Sequence, residues 1–192
     1  MNSSRTPSTT LVTVTHNALP PSDLTFWSFV DYAVRKAEQE LPSVDADAMR
    51  VILTLSRAAS MVIYDLESSV HRPRGLTWPG FRVIFALWLA GPMEAKTTAE
   101  ISGMSRAALS ALLNTLERDG LIVRERASHD RRALQLSLTE AGYGAILGGF
   151  RAHNRRESAW AAALEPEERQ EFVRLLNKLM AGSTNAKAKF RN

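Results

Sequence analysis

Residues 124–132 read RERASHDRR, four arginines and a histidine against one glutamate and one aspartate. Guanidinium groups at this density can neutralise phosphates and release their counterions, and each planar fork also fits the edge of a groove. A second polar set precedes them at helical spacing: Ser105, Arg106, Ala107, Ser110, Ala111, Asn114 and Arg118, with Thr115 beside them. Ser, Asn and Arg side chains on one helix face can hydrogen-bond base edges in a major groove, and alanine methyls can meet the methyl of thymine. Both sets point to recognition of a nucleic acid.

Those groups need a frame, and the surrounding residues describe one. Thr97 followed by Glu100 has capping-box spacing and predicts a helix start at 97, anchored by Ile101 and ended at Gly103, where the turn needs a residue free of Cβ strain. Ser105 is a good N-cap for a second helix, in which Leu109, Leu112, Leu113 and Leu116 recur at i, i+3, i+4 and i+7 as one buried stripe. Asp119-Gly120 stops that helix, residues 121–123 begin a strand, and the alternation LQLSL from 134 is a second, half-buried strand. Between the strands lies a charged loop with Arg124, Arg126, His129, Asp130, Arg131 and Arg132, and Thr139-Glu140 caps the next helix. A leucine stripe alone is ordinary core, and a charged hairpin alone is a solvated turn. In this order and at this spacing the two describe a winged helix-turn-helix, with one helix in the major groove and a basic hairpin beside it.

Long helices flank this unit. Phe26, Trp27, Val30, Ala33, Val34, Ala37 and Leu41 keep helical phase from 22 until Pro42. A helix over 45–70 turns Ile52, Leu55, Ala59, Val62, Leu66 and Val70 inward, and another covers 77–89 with Pro79 in its first turn. A further helix runs over 140–164, and Pro166 with Glu165, Glu167 and Glu168 opens the last one with charges suited to the helix dipole. Phe172, Leu175, Leu176, Leu179 and Met180 line the apolar face of that last helix. One winged domain cannot bury all of these stripes, so pairing with an identical subunit is expected. The expected fold class is mainly α, a winged helix-turn-helix with a two-stranded wing, flanked by long N- and C-terminal dimerisation helices. Its parts are a disordered tail over 1–21, dimerisation helices over 22–74, the DNA-binding domain over 75–139, dimerisation helices over 140–182 and a flexible tail over 183–192. Two recognition helices and two wings would meet a pseudo-palindromic site with half-sites about one helical turn apart.

Residues 75–147 resemble the MarR family of transcriptional regulators, through GLTWPGFRVIFAL (75–87), SRAALSALLNTLERDGLIVRE (105–125) and DRRALQLSLTEAG (130–142). The resemblance implies a homodimeric winged-helix repressor or activator, here read as a repressor, released from DNA by a small phenolic or aromatic-carboxylate ligand. The family's Asp-x-Arg motif falls on Asp130 and Arg132, which implies that Arg132 enters the minor groove while Asp130 holds it, with Arg131 between them. Relatives commonly carry a basic residue where this chain has Ala111, and often another at Thr115. This recognition helix is therefore short of bidentate base readers. Arg106, Arg118, Asn114 and Ser110 remain, and groove shape read by Arg132, with thymine methyls met by Ala107 or Ala111, would supply the rest. The resemblance also implies an effector cleft, to which Arg57, Tyr64, His71, Trp78 and Arg82 would contribute a carboxylate partner, a phenol and aromatic walls.

Composition sets the remaining bounds. With 192 residues, 45% of them hydrophobic, the chain can bury a real core. A net charge of +4 and a pI near 9.8 mildly favour a polyanionic partner. No acidic residue lies between Glu67 and Glu94, whereas His71, Arg72, Arg74 and Arg82 do. The absence of cysteine excludes disulfides, thiolate metal sites and the thiol-based peroxide sensing of some MarR relatives. The longest apolar run, around 83–90, is under half of the roughly 20 residues a membrane span requires. The N-terminal stretch lacks the apolar core of a signal peptide, and a cytoplasmic protein is expected. Histidines at 16, 71, 129 and 153 make no HExxH and no metal-ligand cluster, and no GxSxG, P-loop or dinucleotide fingerprint occurs. Neither catalysis, nor a metal, nor a cofactor is expected. The rival reading is a winged helix that binds protein without touching DNA. An acidic or apolar wing would favour it, and the arginine-rich one favours double-stranded DNA.

Overall fold

The computed structural model describes residues 23–126 and 134–182. The expected tails and the wing residues His129, Asp130, Arg131 and Arg132 lie outside them. The chain divides into two compact units, Met1–Ala58 and Ala59–Asn192.

In the first unit, α1 spans Phe29–Glu40 rather than starting at 22. The hydroxyls of Thr25 and Ser28 bond back to each other's backbone N–H, Thr25 N to Ser28 Oγ at 3.0 Å and Ser28 N to Thr25 Oγ1 at 3.1 Å. These local bonds offer the backbone a turn in place of a first helical turn. The next helix, α2 (Ala46–Leu66), is capped by Asp45, whose Oδ1 accepts from Ala48 N at 2.9 Å. Ile52, expected inward, is 53% exposed, and Ala59 is exposed too, whereas Leu66 and Val70 are buried. Helical spacing identifies a stripe but not what covers it.

The second unit holds the core. After Leu66 the backbone widens into a π turn over Glu67–His71, tightens over Arg72–Arg74 and stops at Gly75, in the left-handed region at φ 74°. The long helix expected to run to 70 therefore changes form at its end. Next come α3 (Trp78–Ala90), β1 (Met93–Glu94), α4 (Ala95–Ser102), α5 (Arg106–Arg118), β2 (Ile122–Arg126), β3 (Leu134–Leu138), α6 (Glu140–Ala161) and α7 (Pro166–Ala181). The strands form an antiparallel sheet in the order β1-β3-β2, with Met93 opposite Leu136 and Ile122 opposite Leu138. The wing thus carries a third, two-residue strand, too short for an alternation pattern to announce. Phe81, Ile84 and Leu87 of α3 pack with Leu109, Leu113, Leu116, Ile122, Leu136 and Ile146 in one hydrophobic core.

Capping explains where the helices begin. Thr77, Ser105 and Thr139 each accept from the backbone N–H three residues on, at 3.2, 3.2 and 2.9 Å. At α4 the expectation fails. The helix starts at Ala95 because extended Glu94 ends β1 and leads directly into it, and Ile101, expected as its anchor, is 56% exposed. Thr98, Ala99 and Ser102 face the core instead. Glu165 and Glu168 form a capping box that opens α7, and α6 ends at Ala161, short of 164.

The start of α6 is pinned to the start of β2. Thr139 Oγ1 donates to Gly120 O at 2.6 Å, and Thr139 N donates to Leu121 O at 3.1 Å. A Cβ at Gly142 would overlap the Leu121 carbonyl oxygen, so only glycine permits this approach.

Candidate nucleic-acid interface

The helix α5 is held by its apolar side. Leu109, Leu113 and Leu116 are buried and Leu112 is partly buried against the same core. Gly103, at φ 61°, ends α4 and lets Ser105 begin α5 after a tight turn. With the leucines fixed inward, Arg106, Ala107, Ser110, Ala111, Asn114 and Arg118 are all exposed, and Thr115 is half-buried. Ser105 is half-buried with its oxygen committed to the cap. Arg118 lies along Asp119, 3.1 Å from its Oδ1.

Arg124 is not in a loop. It sits inside β2, two residues after buried Ile122, and therefore on the sheet face that packs against α5. Its Nη2 donates to Asn114 Oδ1 at 2.6 Å. Its Nε lies 3.2 Å from Glu117 Oε2, an ion-pair distance without the alignment of a hydrogen bond. A groove beside α5 is lined by Lys96, Arg106, Ser110 and Arg124 over a floor of Leu109, Leu113 and Leu136. Lys96, at the start of α4, was not among the residues expected to reach nucleic acid. Its signal would have been the earlier start of α4. For Arg124 the signal was the period-two alternation from Ile122. Asp130, Arg131 and Arg132 lie outside the described residues.

The expected effector residues are only partly gathered. Arg57, in the first unit, places its guanidinium over the Phe26 ring, 3.8 Å from the centroid, and donates to Phe26 O at 2.6 Å. In the second unit Tyr64 is exposed, and Arg82 donates to Ser102 O. His71 and Trp78 do come together, with ring centroids 5.8 Å apart. His71 is 1% exposed and stacks on Phe81 at 4.1 Å. Its Nε2 lies 3.1 Å from Nδ1 of His153 on α6, itself buried. His153 Nε2 is in turn 3.0 Å from Glu157 Oε1. A carboxylate only accepts, so a neutral His153 donates from Nε2 to Glu157 and accepts at Nδ1 from His71 Nε2. Burial pushes the His71 imidazole down to about 4, helped by neighbouring His153 and Arg74.

His153 escaped the sequence reading although its position carried a signal. It continues the buried series Gly142, Ile146 and Gly149 along one face of α6. Nearby, Asp65 accepts from Arg156 Nε and Nη2 at 2.6 Å and from Trp160 Nε1 at 2.7 Å, which hold its carboxyl well below the usual range. This ties the end of α2 to α6. Among the described residues no helix is long and apolar enough to cross a membrane, and no group of three or more metal-ligating side chains occurs.

The model of the MarR family matches residues 76–134. An uncharacterized HTH-type transcriptional regulator of Bacillus subtilis (strain 168), YwaE, is 27% identical over 142 residues, 74% of this chain and 83% of the relative. The structure of a probable transcriptional regulator from Pseudomonas aeruginosa shares the fold with a TM-score of 0.61 at 24% identity, covering 66% of this chain and 94% of that one. Bordetella bronchiseptica BpsR, whose DNA binding is regulated by 6-hydroxynicotinic acid, superposes with a TM-score of 0.62 at 21% identity, over 68% of this chain and 98% of BpsR.

Proposed function

We propose that this chain, a DNA-binding transcriptional regulator whose residues 76–134 belong to the MarR family, is a cytoplasmic repressor that grips a pseudo-palindromic operator as a homodimer. The observation that carries this reading is α5, whose buried leucines leave Arg106, Ala107, Ser110, Ala111, Asn114 and Arg118 outward beside the arginine-bearing β2. A helix presented in this way can enter a major groove, with Ser105 at its N-terminal edge. Asp130, Arg131 and Arg132 supply the wing contacts to the minor groove and backbone. The chemistry of these residues is recognition, and catalysis has no part in it.

Pairing is supported by the apolar residues left exposed on α7, Phe172, Leu175, Leu179 and Met180, on a helix with no buried residue of its own. The proposed signal is a phenol or aromatic acid, the ligand class by which BpsR is regulated. Half-buried Trp78, beside the buried His71, is the aromatic wall proposed for such a ring. Binding would favour a dimer whose helix spacing no longer fits the groove, shifting a two-state balance. The test is a footprint of the full chain upstream of its own gene, repeated with Arg132→Ala. The expected result is a protected palindrome, and a variant that binds about 1–3 kcal/mol more weakly with its fold intact. Unchanged affinity in the variant would refute the wing assignment.

A further inference from the structure

We propose that Arg124 is a positioning residue that decides which base Asn114 selects. The inference rests on α5 being the base-reading helix and adds the hydrogen-bond character of one of its readers. Arg124 reaches from β2 to α5, with Nη2 2.6 Å from Asn114 Oδ1 and Nε 3.2 Å from Glu117 Oε2. A guanidinium has five donors and no acceptor, so only the oxygen end of the Asn114 amide can face it. The amide is planar, so holding its oxygen against Arg124 also fixes where its NH2 group lies, on a residue that is itself exposed. Glu117 stands at ion-pair distance on the Nε side of the guanidinium. An unrestrained asparagine reads adenine with both ends, donating to N7 and accepting from the N6 amine. Here one lone pair of the amide oxygen is taken by Arg124, so the NH2 donors are the end of the amide left foremost for a base. Guanine presents two neighbouring acceptors, O6 and N7, and thymine presents O4, whereas cytosine shows only a donor. Asn114 in this chain therefore selects guanine first and thymine second, against the adenine preference of its residue type.

Selection from randomised duplexes with the full-length protein tests this, using wild type, Asn114→Ala, Arg124→Met and Arg124→Lys. Asn114→Ala should flatten one position of each half-site and so identify it. At that position the wild type should favour guanine over adenine by about tenfold, on the scale of one specific base contact. Arg124→Met, which has no donor, should raise adenine to at least parity, and Arg124→Lys, which still donates, should keep guanine. A mere phosphate contact would instead weaken every sequence alike. Melting curves establish that each variant folds, and if Arg124→Met does not, Glu117→Gln should produce the same shift in part. Adenine favoured by the wild type, no position flattened by Asn114→Ala, or an unchanged preference in the folded Arg124 or Glu117 variant would overturn the inference and leave DNA recognition standing. A wild-type chain that enriches no sequence would overturn that reading and this inference with it.

Discussion

Two helices of similar length and periodicity, α5 and α7, treat their apolar stripes in opposite ways. α5 buries its leucines within its own chain, Leu109 to 1% exposure, and turns a polar face outward. α7 leaves Leu179 42% exposed beside Phe172, Leu175 and Met180. The first helix is oriented by a core the chain completes alone, which is what a reading helix needs in order to present fixed groups to a groove. The second carries an apolar surface that the chain leaves uncovered, and the homodimer proposed above covers it. Fold and assembly are thus assigned to separate stripes, and each can be broken without the other.

The largest effect is expected at the first stripe. Leu109→Ala should cost about 2–5 kcal/mol, the range for a buried leucine truncated in a packed core, measured by denaturant unfolding. A cost within the error of an exposed site would mean that α5 is not held as described.

A smaller effect is expected from the buried histidine. His71 titrates near 4 in the fold against 6.5 when unperturbed, so between those values the unfolded chain binds a proton that the native chain does not. Stability from this group is therefore complete above about pH 6.5 and is lost as pH falls toward 4, by at most about 3 kcal/mol. Thermal melts from pH 7 to pH 4.5 should show the decline. His71→Gln, which keeps a donor for His153 and does not titrate, should flatten that part of the profile.

The smallest effect on the fold, and the sharpest on assembly, belongs to α7. Leu179→Glu should leave unfolding of the monomer within about 0.5 kcal/mol, as for other exposed sites, and weaken self-association by about tenfold or more in sedimentation, the consequence of a buried charge. An unaltered dimer would move the interface elsewhere.

Much of the architecture was legible because caps and periodicity agree. Thr77, Ser105 and Thr139 start α3, α5 and α6 as their residue types suggest, and the leucines of α5 are buried as spaced. What escaped was decided by contacts that spacing does not encode. The two residues of β1 are too few to alternate, and their pairing with β3 moves the start of α4 ahead of the Thr97–Glu100 signal. The stripe of α2 had the right period, yet Ile52 is uncovered in the single chain. At the site, the outward face of α5 was readable from the leucines. The bond from Arg124 to Asn114 was not, because a charged residue near a hairpin suggests a loop until the strand register is known. His71 and Trp78 lie side by side, but His153, which His71 meets through Nε2, stands 82 residues beyond it in sequence.

The most direct test of the central claim is sedimentation of the full chain with its selected operator duplex across a salt series. The expected result is two chains per duplex and an affinity that falls steeply as salt rises, because arginines from both copies displace counterions. One chain per duplex, or binding indifferent to salt, would contradict a paired grip on the DNA backbone.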